Sequence, residues 1–212
     1  MPIERVIYEV IKNLKKNNIK GIELSKSHRK NTGIMLDNVN EKEIQDYISQ
    51  LKTQAYFHNT APAKDSWHQI NRMFKPIFNA GIIELCKYLP YLPGLDKNSL
   101  YKKIGIKIGK NTTIAPRVQF DYFHPELIEI GENCLIGDNV KIWAHDYGLG
   151  NFMIGTVKIG DNVKIGSEAI IGPATEIGDN SQIDFGSFLY SSKIPSNAKV
   201  IRKERSNYVR AY

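Results

Sequence analysis

The sequence predicts a mainly β fold: a parallel β-helix of about four coils, preceded by an α-helical N-terminal region. Three observations carry this prediction. From Ile108 onward a six-residue period runs through IGKNTT, IAPRVQ, IGENCL, IGDNVK, a second IGDNVK, IGSEAI, IGPATE and IGDNSQ, each with an aliphatic first position and a small second one. Before that point, Ile3, Val6, Ile7, Val10, Ile11 and Leu14 recur at three- and four-residue spacing, which places them on one helix face. The change of pattern near residue 100 divides the chain into a helical region at 1–100, the repeats at 101–192 and a basic tail at 193–212.

The first helix ends at NNIKG, and residues 21–38 are polar, irregular and without periodic signal. A second helix begins after Asn40, whose side chain can cap the backbone while Glu43 reaches back, with Ile44, Tyr47, Ile48 and Leu51 as its apolar stripe. From Ser66 to about Leu89 the chain is at its most apolar, interrupted by Pro76 and Gly81 and closed by Pro90 and Pro93. This reads as a kinked helix packed on the main domain or on a neighbouring subunit, with a peripheral membrane contact as the alternative. The apolar faces of residues 1–100 are too small to support an independent core, so they should pack on the β-helix or across subunits.

In the repeats, each hexapeptide supplies a short strand and a turn, and three close a triangular coil with the aliphatic position pointing inward. Stacked coils pair as parallel strands roughly 4.8 Å apart. Gly permits the close approach or positive φ of a tight corner, and Asn in the GDN and GEN triplets is the next most tolerant residue. The register can be counted. One edge takes Ile108, Ile130, Ile159 and Ile177; the second takes Ile114, Ile136, Ile165 and Ile183; the third takes Phe120, Ile142, Ile171 and Leu189. Two insertions, after Phe120 and after Ile142, leave from the third edge in consecutive coils and should lie side by side at one corner. Loops on a rigid scaffold are where sites sit.

Composition is that of an ordinary globular protein, 42% hydrophobic and 24% charged among 212 residues. No apolar run approaches the roughly 18 residues of a spanning helix, and the start MPIERVIYEV does not read as a signal peptide, so the expected location is the cytoplasm. The net charge of +7 suits acidic or phosphorylated partners, but no zinc-finger or RNP pattern points to nucleic acid. Cys86 and Cys134 have neither metal nor redox spacing and read as buried thiols.

Residues 100–195 resemble the hexapeptide-repeat acyltransferases, the group that includes galactoside, maltose and xenobiotic O-acetyltransferases. The likeness is carried by LYKKIGIKIGKNTTI, by PELIEIGENCLIGDNVKIWAHDY and by VKIGDNVKIGSEAIIGPATEIGDNS. It implies a left-handed helix, a homotrimer, and acetyl-CoA bound as co-substrate between subunits, with a sugar or glycan precursor as acceptor and no metal.

By the same resemblance His145 is the general base. It occupies the fourth place of its hexapeptide, directly before the longer insertion, and should point away from the prism. An imidazole titrates near pH 6.5 when unperturbed, so it can accept a proton at neutrality. In the neighbouring FDYFHPEL, Asp121 and Tyr122 match the acceptor-contacting segment, with Asp121 orienting a substrate hydroxyl or merely forming a turn. Asp146 could help set the His145 tautomer or simply begin the loop. His124, before Pro125, reads as structural.

For the coenzyme the resemblance implies Ser167 and Lys193, but the G-x-P segment that often follows IP is absent from SNAKVIRKE. That departure weakens any transfer of roles to Lys199 and Arg202. Two other readings fit the same fold. One is a non-catalytic assembly scaffold. The other is a zinc enzyme resembling γ-carbonic anhydrases, against which stands the presence of only His124 and His145 within the coils.

Overall fold

The structure is a computed structural model that describes residues 3–27, 33–59, 74–89, 96–148 and 151–201. Helix α1 spans Ile3–Lys16 and buries the six residues whose spacing predicted it. Strands β1 (Ile22–Ser25) and β2 (Ile34–Met35) follow, then α2 (Glu41–Ser49), β3 (Gln54–Asn59), α3 (Phe74–Tyr88) and α4 (Lys97–Lys103). The Asn40 capping box forms in full: the Glu43 N–H donates to Asn40 Oδ1 at 3.0 Å, and the Asn40 N–H donates to Glu43 Oε2 at 2.8 Å.

The repeats build three parallel ladders. The first stacks β4 (Lys107–Ile108), β7 (Ile128–Ile130), β12 (Val157–Ile159), β15 (Thr175–Ile177) and β18 (Lys193–Ile194). The second stacks β5 (Thr113–Ile114), β8 (Leu135–Ile136), β13 (Lys164–Ile165), β16 (Gln182–Ile183) and β19 (Lys199–Val200). The third stacks β6 (Gln119–Phe120), β9 (Lys141–Ile142), β14 (Ile170–Ile171) and β17 (Phe188–Leu189).

Every pairing follows the counted register, for example Ile130 with Ile159 and Ile142 with Ile171. The aliphatic residues of the three edges are buried. The ladders continue beyond the expected end at residue 192, because Lys193–Ile194 and Lys199–Val200 pair with the coil beneath them.

The Gly and Asn of the GDN and GEN corners have separate jobs. Asn takes the left-handed conformation, with φ near +55° at Asn133 and Asn139. Gly instead permits contact between coils: a Cβ on Gly131 would stand 2.6 Å from the Gly160 carbonyl oxygen, inside any tolerable contact. Helix α4, capped by Asp96, closes the first coil from below, where the buried Tyr101 ring meets Phe120 edge-on at 4.8 Å.

The N-terminal region contains strands that its sequence did not announce. β1, in the stretch without periodic signal, pairs antiparallel with β2 and β3. The second insertion is itself a hairpin of β10 (His145–Gly148) and β11 (Asn151–Gly155), and the whole of β11 pairs with β3, from Gln54 to His58. A five-stranded sheet, in the order β10-β11-β3-β1-β2, therefore joins the N-terminal region to the β-helix. Phe57 and Phe152 stack across it at 4.2 Å.

The register explains why no local signal exists. Strands β3 and β11 lie about a hundred residues apart, and all four residues of β1 are buried, so no alternation shows.

Helix α3 runs through Pro76 without the expected interruption. Pro76 is its third described residue, within the turn where a missing N–H costs little. Ile83 and Cys86 are buried, while Ile77, Phe78, Leu85 and Tyr88 are exposed. The expected helix start at Ser66 and the closing Pro90 and Pro93 lie outside the described residues, as do His28, His68 and Arg202. Among the described residues no helix is long and apolar enough to cross a membrane.

Candidate active site

Both insertions depart from the third edge and meet at one corner, as counted. Strand alternation sets the outward residues there: Ile142 and Ala144 are buried, and Trp143 and His145 project to the outside. One coil below, Phe120 fills the prism and Asp121 follows it, its N–H donating to the Ile142 carbonyl at 2.9 Å. That bond brings Asp121 beside His145.

The Asp121 carboxylate is fully buried and has a partner at every side. Oδ1 accepts from the N–H groups of Phe123 (2.8 Å) and His124 (2.9 Å), and Oδ2 accepts from the Ala144 N–H (2.8 Å). Oδ2 also lies 2.5 Å from Nδ1 of His145, whose side chain is 14% exposed. Burial alone would push this carboxyl pKa up. The imidazoles of His145 and His124, with the hydrogen bonds, outweigh burial and hold it well below the usual carboxylate range.

The ionised carboxylate has no proton to give, so the proton shared with His145 resides on Nδ1. In the neutral imidazole the lone pair is then on Nε2.

An aromatic wall surrounds the imidazole. The Tyr147 ring lies 4.3 Å from it, Phe123 5.0 Å and Tyr122 6.3 Å, centroid to centroid. His124 is buried with its ring 6.3 Å from that of His145, and burial lowers its pKa, which favours the neutral form.

A cavity of about 260 Å³ opens beside His145, between α3 and the third face of the β-helix. Ala80, Ile83, Glu84 and Lys87 form one wall, and Trp143, Tyr122 and His145 are among the residues of the other. A larger cavity of about 420 Å³ lies between β1 and α2, lined by Ser27, Asp46 and Gln50 among others. It is far along the sheet from the Asp121–His145 pair, and chemistry rather than size decides in favour of the smaller one.

The expected site residues separate into two groups. Tyr122 lines the His145 cavity and is 44% exposed. Asp121, expected as a contact to a substrate hydroxyl or as a turn former, does form the turn, through the Phe123 and His124 N–H groups, and its second oxygen is directed at His145, so both oxygens are occupied inside the protein. Asp146 does not set the His145 tautomer, since Asp121 holds Nδ1. It is exposed, lies within strand β10 rather than beginning a loop, and accepts from the Tyr190 hydroxyl at 2.8 Å.

Ser167 is half-buried in the corner between the second and third faces, its carbonyl accepting from the Gly186 N–H at 2.9 Å. Lys193 begins a first-face strand, mostly exposed, 3.5 Å from Glu176. The chain does not bring these two to the same corner. Sequence reasoning missed Trp143, Glu84 and Lys87. The alternation Trp143–Ala144–His145 could have revealed the first, but nothing local could have brought α3 to the corner.

The profile of the family described as "Bacterial transferase hexapeptide (six repeats)" matches residues 156–190. YvoF of Bacillus subtilis, named for acetyl transfer without a stated acceptor, is 36% identical over 146 residues, 68% of this chain and 83% of its own.

The chain belongs to the hexapeptide-repeat acetyltransferases. A second relative so named, from Staphylococcus aureus, is 40% identical over 144 residues, 66% of this chain and 86% of its own. Galactoside O-acetyltransferase of Escherichia coli is 30% identical over 126 residues, 48% of this chain and 62% of its own. Among solved structures, the acetyltransferase VCA0836 of Vibrio cholerae in complex with acetyl-CoA overlaps 58% of this chain and 81% of its own, at a TM-score of 0.47 and 19% identity.

Proposed function

We propose that this protein transfers an acetyl group from acetyl-CoA to a hydroxyl of a sugar or glycan precursor, with His145 as general base. The observation that carries the proposal is the Asp121–His145 pair, 2.5 Å from Oδ2 to Nδ1 and aligned beside an outward cavity. Family membership supplies the acyl donor, and the name of the galactoside O-acetyltransferase supports the acceptor class.

In this reading the acceptor O–H gives its proton to Nε2 of His145 while its oxygen attacks the thioester carbonyl. The tetrahedral intermediate then collapses, the C–S bond breaks, and Nε2 returns the proton to the departing thiolate. Asp121 holds the ring in the useful tautomer and stabilises the transient imidazolium. A base worth roughly two to four orders of magnitude needs just this kind of alignment.

The left-handed coil is carried over from the family, and two features support assembly into a homotrimer. Leu135, Phe185 and Phe188 are 46%, 54% and 67% exposed on the outside of the prism, apolar surface that threefold packing would cover. Ser167 and Lys193 stand at different corners, so a coenzyme site using both would draw them from two subunits. The cytoplasm remains the proposed location.

The test is free-thiol release from acetyl-CoA with a panel of sugars and nucleotide sugars, beside sedimentation of the protein at micromolar concentration. Acceptor-dependent release from a trimer is expected. A stable monomer, or no release with any acceptor, would favour a scaffold role for the β-helix.

A further inference from the structure

The cavity beside His145 has an unusual pair at its α3 wall. Lys87 has a side chain only 13% exposed, and its Nζ lies 2.5 Å from Oε1 of Glu84, one turn back on the same helix and 62% exposed. A partly buried ammonium is thus neutralised by a carboxylate that stands mostly in water. Glu84, standing mostly in water, can swing away at small cost when another anion takes its place beside the buried ammonium. Lys87 can then receive another anion without leaving the wall.

Across the cavity stands Trp143, 41% exposed. A solvent-facing indole on an otherwise closed β-helix corner is a platform for the apolar face of a ring. His145, two residues on and on the same side of its strand, closes the base of the cavity. The volume of about 260 Å³ is just under the roughly 300 Å³ at which ordinary small-molecule pockets begin. That volume suits one ring.

The lining includes Gln119 and Phe120 of the lowest coil, whereas the residues matched to coenzyme binding, Ser167 and Lys193, lie on higher coils. The cavity is therefore on the acceptor's side of His145.

We infer that this cavity is the acceptor site and that it takes a single sugar ring stacked on Trp143, with an anionic substituent, carboxylate or phosphate, bound by Lys87 in place of Glu84. This rests on the acetyl-transfer reading and narrows its substrate class. Asn79 ties the helix that supplies Lys87 to the first insertion, its Nδ2 donating to the Tyr122 carbonyl at 2.8 Å.

The chain has two tryptophans, Trp67 and Trp143, so a Trp67→Phe variant reports from Trp143 alone. Its fluorescence would be titrated with methyl galactoside, galacturonate and galactose 1-phosphate. The two anionic probes should saturate at concentrations at least tenfold below the neutral one, and their order tells carboxylate from phosphate. Lys87→Met should abolish that difference, Lys87→Arg should retain most of it, and Glu84→Gln should tighten the anionic probes severalfold.

Equal binding of all three probes, or a preference unchanged by Lys87→Met, overturns the anionic selection. No fluorescence response to any probe overturns the pocket. Thiol release from acetyl-CoA, measured on the same samples, keeps the two readings apart: a selective titration without transfer would sink the catalytic reading and leave the pocket standing.

Discussion

The two insertions leave the same corner of the prism, one coil apart, yet they differ in almost every physical respect. The first is short and turned inward: Asp121 and His124 are buried, and the backbone folds around the Asp121 carboxylate. The second is a hairpin that reaches outward and is paired along its far edge by β3. One supplies a charge sealed from water; the other supplies an imidazole still 14% exposed. The comparison teaches that the proposed base and its orienting group need opposite environments, and that adjacent coils of a repeat can provide both within hydrogen-bond reach.

The hardest test of that division is His145→Ala. It should lower acetyl transfer by roughly two to four orders of magnitude, since a positioned base is removed while Asp121 keeps three N–H donors. Thiol-release kinetics would read it. A near-normal rate would mean the outward insertion is not the catalytic one.

Asp121→Asn probes the inward insertion without changing its shape. An amide NH₂ facing Nδ1 would drive the imidazole proton to Nε2, so kcat should fall about a hundredfold or more with little change in the acceptor KM. A rise in KM with kcat intact would instead return Asp121 to the role of substrate contact.

Asp121→Ala sharpens the comparison on stability. Three buried N–H groups lose their acceptor, which should cost about 3 kcal/mol or more in chemical denaturation. The pH dependence has a definite sign. A carboxyl held below its unfolded value contributes stability that is complete above that value, near 3.9 for Asp, and is lost as pH falls toward its folded pKa. The gap between wild type and variant should therefore be flat from neutrality to about pH 5 and shrink below about pH 4.

His124→Ala, in the inward insertion but not bonded to His145, should lose less than about tenfold in rate, as a packing change rather than the loss of a proton acceptor. Tyr190→Phe is the mildest. It removes one exposed hydrogen bond from Asp146 of the outward hairpin, and should change stability by less than about 1 kcal/mol and leave the rate within twofold.

Much of this corner was legible beforehand, and the reason is periodicity. Once Ile142 is assigned inward, His145 must face out and both insertions must leave together. What was not legible was the partner of His145. Asp121 could be read as a turn former or a substrate contact, because the Ile142–Asp121 bond that turns its side chain toward the imidazole exists only between stacked coils. The Asn40 capping box, by contrast, was readable because both its members lie within one turn of chain.

By itself the sequence determined the β-helix register, the helix faces of α1 and α2, and the position of His145, since each depends on spacing within one coil or one turn. Only the tertiary structure decided that β1 and β3 are strands, that β3 pairs with the hairpin carrying His145, and that α3 walls the cavity with Glu84 and Lys87. Those features depend on contacts between residues tens to a hundred positions apart. Backbone hydrogen bonds and packing of that range leave no period in the chain, because a strand buried throughout has no reason to alternate and a helix apolar on two faces does not say which one it hides.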